Sequence, residues 1–460
     1  MPENTSRNLF SEQLHILKDL VRWIPIASVV GMMAGTASAT LLASLTWATN
    51  IRESHRWLIL LLAPAGWAVG LLYKLFGKSV EGGNNLILEE VHDPRTTIPA
   101  RMTPLILLGT FISHLFGASV GREGTAIQTG ASLADQLSGP LRLTSPERRI
   151  LLMAGISAGF GSVFGTPMAG AVFGIEVLAI GKLSYDAIAP CFLAAFVGDL
   201  VTRFWARFVP GVAHTHYVVG DVPAMTVQGI VLAAIAGVAF GLAAMAFSRL
   251  THFISHTARR FISRPEFRPI AGGLVVTAAV FALGSTRYIG LGVPIIVDAF
   301  HNKLPPYDFA GKLIFTAASI GTGFKGGEVT PLFYIGATLG NALSRLLPLP
   351  AGLLAGMGFA AVFAGAANTP ISSTLLAVEL FGGEAGAYAA IACVVSYLFS
   401  GHTGIYGSQR VGRSKFGRQQ SEEGQSLAML AKRDLGEGLI TPGSDASLTP
   451  TPEPESSTRF

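Results

Sequence analysis

The chain has 460 residues, half of them apolar and only 13% charged, with a mean hydropathy of +0.50. Water-soluble domains carry about a quarter charged residues, so this composition excludes a soluble enzyme or scaffold and puts the chain in a bilayer. A formal charge of +5 would suggest nucleic acid for a soluble protein, but here the cations fall in short loops and termini, where topology and anionic lipid account for them; no nucleic-acid partner is expected.

Residues 1–22 carry acidic residues and lack the basic start and apolar core of a cleavable signal, so they read as an amphipathic cytoplasmic lead-in. Stretches free of Asp, Glu, Lys and Arg follow from Trp23 to Ile51, Ile150 to Ile175, Val222 to Ser248, Leu346 to Val378 and Ala385 to Gln409. Each exceeds the roughly 20 residues that cross a hydrocarbon core. The 54 glycines and 25 prolines break these runs, which predicts an all-α polytopic protein of many short, tilted and broken helices. Most of the glycines serve close helix packing. Only those beside polar or ionisable residues are candidates for a site.

Residues 249–269 hold Arg249, Arg259, Arg260, Arg264 and Arg268 against Glu266, which by the positive-inside rule makes a basic cytoplasmic loop. It separates 23–248, the first half with the start of the second, from 270–407, the rest of the second half. From 408 to 460 the chain turns basic and then rich in Ser, Thr, Pro and Glu, as expected of a disordered cytoplasmic tail. Both termini are thus expected in the cytoplasm, and a bacterial source would place the protein in the inner membrane. Cys191 and Cys393 sit in apolar segments without metal-ligand spacing, so neither metal nor cofactor is expected.

One pattern occurs twice. GASLADQL at 130–137 matches GATLGNAL at 336–343, 206 residues later. Thr166 and Pro167 with Glu176 nine residues past the proline recur as Thr369, Pro370 and Glu379, 203 residues later. Related halves in a membrane protein place a transport site at their interface, on broken helices near the midplane.

Three glycine-rich breaks and one late tyrosine supply its chemistry. In SVGREGTAIQ, Glu123 lies between Gly121 and Gly124 at the start of a helix, where amides and the helix dipole favour negative charge. A carboxylate and a transported anion can compete for those donors, and protonating Glu123 would release them to the anion. Arg122 beside it reads as a structural ion-pair partner. In GTGFKGGEVTP, glycines precede Glu328, Val329 and Thr330; Glu328 is either a second ionisable switch or an anchor for the loop. In VEGGNNL, Asn84 or Asn85 offers an amide, unless the glycine turn needs it for backbone geometry. Tyr406 can donate a phenolic hydroxyl deep in the membrane or simply mark its interface.

GREGT, the paired TP elements, GGEVTP and the late tyrosine, in this order, resemble the CLC family of chloride channels and anion/proton antiporters over roughly residues 20–407. The resemblance implies two inverted repeats and a homodimer with one pore per subunit. It makes Glu123 the gating glutamate and Tyr406 the inner-gate donor, with Gly121, Gly124, Val329 and Thr330 lining the anion site and Glu176 and Glu379 structural. Typical chloride members carry GSGIP where this chain has GGNNL, which places Asn84 at the central serine position with Asn85 as the register alternative. They carry GxFxP where this chain has GEVTP. Both departures resemble the fluoride branch, whose members export fluoride in exchange for protons. Val177 stands where chloride antiporters have an inner proton-relay acid, so the resemblance leaves Glu328 as the nearest further carboxylate.

The expected function is therefore fluoride/proton antiport, with chloride/proton antiport or passive chloride conduction as the alternative. An intramembrane enzyme built on Glu123 or His114 has no supporting motif: there is no HExxH, P-loop or cysteine cluster.

Overall fold

The computed structural model describes residues 9–417 and 420–434. Helices fill the apolar region in two series. The first comprises α1 (Leu9–Ser54), α2 (Leu62–Phe76), α3 (Asn84–His92), α4 (Met102–Phe116), α5 (Glu123–Asp135), α6 (Ser145–Phe164), α7 (Pro167–Glu176) and α8 (Ile188–Trp205). The second comprises α9 (Val227–Phe261), α10 (Arg268–Leu283), α11 (Val293–His301), α12 (Asp308–Thr322), α13 (Val329–Leu343), α14 (Ala351–Ala367), α15 (Pro370–Phe381) and α16 (Gly383–Phe399). A last helix, α17 (Leu427–Asp434), follows a two-residue strand β2 (Arg410–Val411), which pairs in parallel with β1 (Ala179–Ile180).

Each helix of the first series has a counterpart eight helices later. The longest two, α1 and α9, have 46 and 35 residues, while α3 and α11 have nine each. At 1.5 Å per residue, nine residues reach only about 14 Å, so α3 and α11 stop partway across a hydrocarbon core about 30 Å thick. Packing repeats as well: α1 lies on α8 as α9 lies on α16, and α5 lies on α6 as α13 lies on α14. The inverted halves then meet through α7 on α15, α2 on α10, and the starts of α5 and α13. Among the described residues, five stretches are long and apolar enough to span a membrane, Ile16–Ser54 and Val227–Phe261 among them.

The repeated sequence elements have local physical causes. Gly130 of α5 sits so close to α6 that a Cβ would lie 2.3 Å from the Gly155 carbonyl oxygen, and Gly336 of α13 sits 1.9 Å by the same measure from that of Gly358 in α14. Only a missing side chain permits this approach. At the TP elements, α6 ends at Gly165 (φ 75°) and α7 restarts with Pro167 at its first position; α14 ends at Asn368 (φ 57°) and α15 restarts with Pro370. A left-handed stop followed by a proline start turns the chain sharply twice over.

Three sequence-based boundaries change. The halves join at 206–226, because α9 continues through Arg249, Arg259 and Arg260; of the expected basic loop 249–269 only 262–267 lies outside α-helix, and Pro265–Phe267 there makes a 3-10 turn. Residues 9–22 of the expected lead-in belong to α1 without a break, whereas residues 1–8 lie outside the described residues. The expected disordered tail is ordered over 408–417 and 420–434: Val411, Leu427 and Leu430 bury themselves with Ile180. A β-branched pair and a leucine repeat hidden among charges gave too weak an apolar signal to reveal this docking. Residues 435–460 of the tail lie outside the described residues.

Candidate functional site

The two halves touch at their glycine breaks. Gly121 and Gly327, 206 residues apart, exchange backbone hydrogen bonds in both directions, at 2.5 and 2.8 Å, as a short antiparallel bridge. A Cβ on Gly327 would fall 2.5 Å from the Gly124 nitrogen, so the crossing needs glycine on both strands. From this bridge α5 and α13 depart, starting at Glu123 and Val329.

Glu123 is fully buried, and its carboxylate crosses to the other half. Oε2 accepts from the Thr330 backbone N–H at 3.0 Å and from the Arg122 N–H at 3.1 Å, while the Thr330 hydroxyl donates to Oε1. The carboxylate thus occupies the first turn of α13, taking one of the amides that the helix itself leaves free. The Arg122 guanidinium lies 3.5 Å away and supplies the expected ion pair, but the closer contacts are those from Thr330. Val329, the first residue of α13, is buried.

Asn84, Glu328 and Tyr406 converge on one cavity of about 280 Å³, which also reaches Gln128, Lys325 and Arg259. Asn84 Oδ1, Glu328 Oε2 and the Tyr406 hydroxyl are each buried without a hydrogen-bond partner among the described residues. Buried polar groups left unpaired cost free energy, so three around one cavity describe a place that expects a polar occupant. Glu328 therefore does not anchor its loop through Oε2. Asn84 also approaches the glycine crossing: a Cβ on Gly124 would lie 3.1 Å from its Nδ2. Asn85 lines the same cavity, but its Oδ1 is taken: it accepts from the Ser408 N–H at 3.1 Å. Tyr406 packs its ring edge-on to Phe173, and a small pocket between Tyr406 and Asn84 is closed by Phe173, Ile127 and Val177. Val177 offers only an apolar wall there.

Some site features went unread in the sequence. Gln128 lines the cavity from α5, and its signal was available: a lone amide in an otherwise small, apolar helix, five residues past Glu123. Gln409 is fully buried and donates to the carbonyls of Val177 and Ala367 while accepting from Asn368, which fixes the chain directly after Tyr406. Glu176 and Glu379 cap each other's half. Glu176 accepts from the Ile371 and Ser372 amides at the start of α15, and Glu379 accepts from those of Met168 and Ala169 at the start of α7. His114 is buried, its Nδ1 2.9 Å from the Thr110 carbonyl oxygen, and lies outside this cavity.

The pattern of the voltage gated chloride channel family matches residues 65–401. The chain belongs to this family. A chloride/fluoride channel protein of Pseudomonas syringae pv. tomato is 56% identical over 90% of this chain and 91% of its own length. An H(+)/Cl(-) exchange transporter of Yersinia pseudotuberculosis is 25% identical over 77% of this chain and 79% of its own. Among solved structures, a CLC-type fluoride/proton antiporter superposes with a TM-score of 0.82 at 33% identity, covering 85% of this chain and 98% of that one. A slow cyanobacterial Cl-/H+ antiporter, at 19% identity and a TM-score of 0.72, shares the fold. The resemblance carried by GREGT, GGNNL and GGEVTP is borne out. The protein is an integral membrane member of the CLC fold.

Proposed function

We propose that this protein exports fluoride in exchange for protons, with Glu123 as the protonatable gate. The supporting observation is the seat of its carboxylate, on the Thr330 amide and hydroxyl at the start of α13. An anion needs those same donors. Charged Glu123 holds them; once protonated it gives them up, and anion and proton move in alternation.

Fluoride is small and tightly hydrated, so its site must offer short, strong donors in place of water. The Thr330 and Tyr406 hydroxyls, the Asn84 amide, and the backbone around Gly121, Gly124 and Val329 are of that kind. Glu328, with a free buried oxygen on the same cavity, serves as the second acid on the proton route. The similarity to the solved fluoride/proton antiporter supports fluoride over chloride. If one fluoride leaves per entering proton, two charges cross the field in the same sense, which supplies ~4.6 kcal/mol per 100 mV.

The face bearing Arg259, Arg268 and the C-terminal segment reads as cytoplasmic by its cations, and with it both termini. The working unit is a homodimer with one pore per subunit, in the inner membrane if the source is bacterial.

Reconstitution in liposomes with simultaneous recording of fluoride, chloride and proton flux tests this reading. Fluoride uptake driven by a pH gradient, with chloride well behind, is the expected result. Chloride flux exceeding fluoride would make the protein a chloride/proton antiporter, and anion flux without protons would make it a channel.

A further inference from the structure

Where the C-terminal segment docks on the body of the protein, it leaves a second cleft of about 800 Å³, walled by the β1–β2 pair and the start of α6. Arg149, Lys182, Arg410 and His92 line it, opposed by Asp186 and Glu423. The acids offset the cations only in part. Asp186 makes a long ion pair of 4.0 Å with Arg149, which also donates to the Ser184 hydroxyl at 3.1 Å, and Glu423 accepts from the Ser414 N–H. Among the described residues, the Lys182 and Arg410 side chains have neither a hydrogen-bond nor an ion-pair partner, and Arg149 Nε is buried without one.

Several other cations of this face are paired. Arg22 meets Glu147, Arg148 bonds Asp135 and Glu90, Arg433 bonds Glu422, and Lys415 donates to Asn368, Ser400 and two carbonyls. The cleft instead gathers three cations in one concave space, two of them without a side-chain partner among the described residues. His92 is held at the Leu178 carbonyl, its Nε2 2.9 Å from that oxygen.

We propose that this cleft is a binding site for a phosphate group carrying at least two negative charges, clamped by Arg149, Lys182 and Arg410. Guanidinium forks suit phosphate oxygens, and a lysine adds a point charge. Arg149 belongs to α6, Lys182 to the loop after β1, and Arg410 to β2, so the ligand ties the C-terminal segment to the transport body. The site stands independently of which anion uses the pore. A soluble phosphate compound and a phospholipid headgroup present the same chemistry, and the measurement separates them.

The full-length protein in detergent is titrated with inorganic pyrophosphate, and separately with short-chain phosphatidic acid, with its melting midpoint followed at ionic strength matched by potassium gluconate. At least one of the two raises the midpoint in a saturable manner. Arg149→Gln, Lys182→Gln and Arg410→Gln each weaken that ligand about tenfold, the worth of one charge-assisted hydrogen bond, while Arg413→Gln, outside the cleft, leaves it unchanged. A response to pyrophosphate alone identifies a soluble ligand, and a response to phosphatidic acid alone identifies a headgroup. No saturable response to either, or one that persists in the three variants combined, overturns the proposal.

Discussion

The starts of α5 and α13 share a backbone and differ in chemistry. Gly121 and Gly327 pair, Arg122 and Glu328 precede the two helices with φ of −114° and −96° and the same ψ of −19°, and Glu123 and Val329 begin them. At equivalent places the first half thus reads Arg-Glu-Gly and the second Glu-Val-Thr. The first half begins its helix with the acid and has no hydroxyl there, and the second has the Thr330 hydroxyl while its own acid, Glu328, stands one residue before the helix. Their juxtaposition lets Glu123 reach Thr330 across the interface. A symmetric frame brings two helix starts together, and asymmetric substitution seats a carboxylate of one half on the donors of the other.

Removing that charge should have the largest effect. Glu123→Gln keeps the size of the side chain and abolishes its ionisation, so pH-driven fluoride uptake should fall by about a hundredfold or more while passive anion movement persists, as simultaneous flux traces would show. Glu328→Gln sharpens the comparison: it should slow proton movement without freeing the anion path, since its carboxylate does not occupy the α13 start. Unchanged proton coupling in Glu123→Gln would shift the switch to the second half.

A smaller effect is expected where both amides line the cavity and the tail already holds the oxygen of one. Asn84→Ser should reduce the preference for fluoride over chloride by about tenfold, the value of one well-placed hydrogen bond at a buried site. Asn85→Ser, which loses only its contact with the Ser408 N–H, should leave the ratio within about twofold. Ion competition in liposomes reads both. Equal effects would mean that neither amide discriminates.

What the sequence made legible follows from how far each signal extends along the chain. Glu123, Thr330 and the glycine breaks were readable because a charge or a hydroxyl in an apolar run is rare, and because Gly130 and Gly336 announce the repeat. The junction of the halves was not. A cluster of arginines at 249–268 looked like a loop, but arginine is a good helix former and α9 carries those up to Arg260 on its last turns. The docking of 408–434 was hidden for a different reason: beside the small apolar cluster of Val411, Leu427 and Leu430, its hold is polar and long-range, through Gln409, Ser408 and Lys415, each of which would look equally at home in solvent. Asn84 and Asn85 could be told apart only by which one the tail claimed.

The reciprocal caps give the finest test of the paired frame. Glu176 and Glu379 each take two amides at a helix start of the opposite half, in matching geometry, but Glu176 is buried and Glu379 is half-buried. A charged carboxylate on two N–H groups at a helix start contributes about 1–3 kcal/mol, and glutamine retains one acceptor, so the loss in either variant should lie toward the lower end. Both changes should lower the melting midpoint of the detergent-solubilised protein by a few degrees, with Glu176→Gln the more damaging because water cannot replace the lost acceptor where it is buried. Equal losses would mean that the frame is energetically as symmetric as its backbone; a larger loss at Glu379 would mean that exposure is not what sets the strength of the caps.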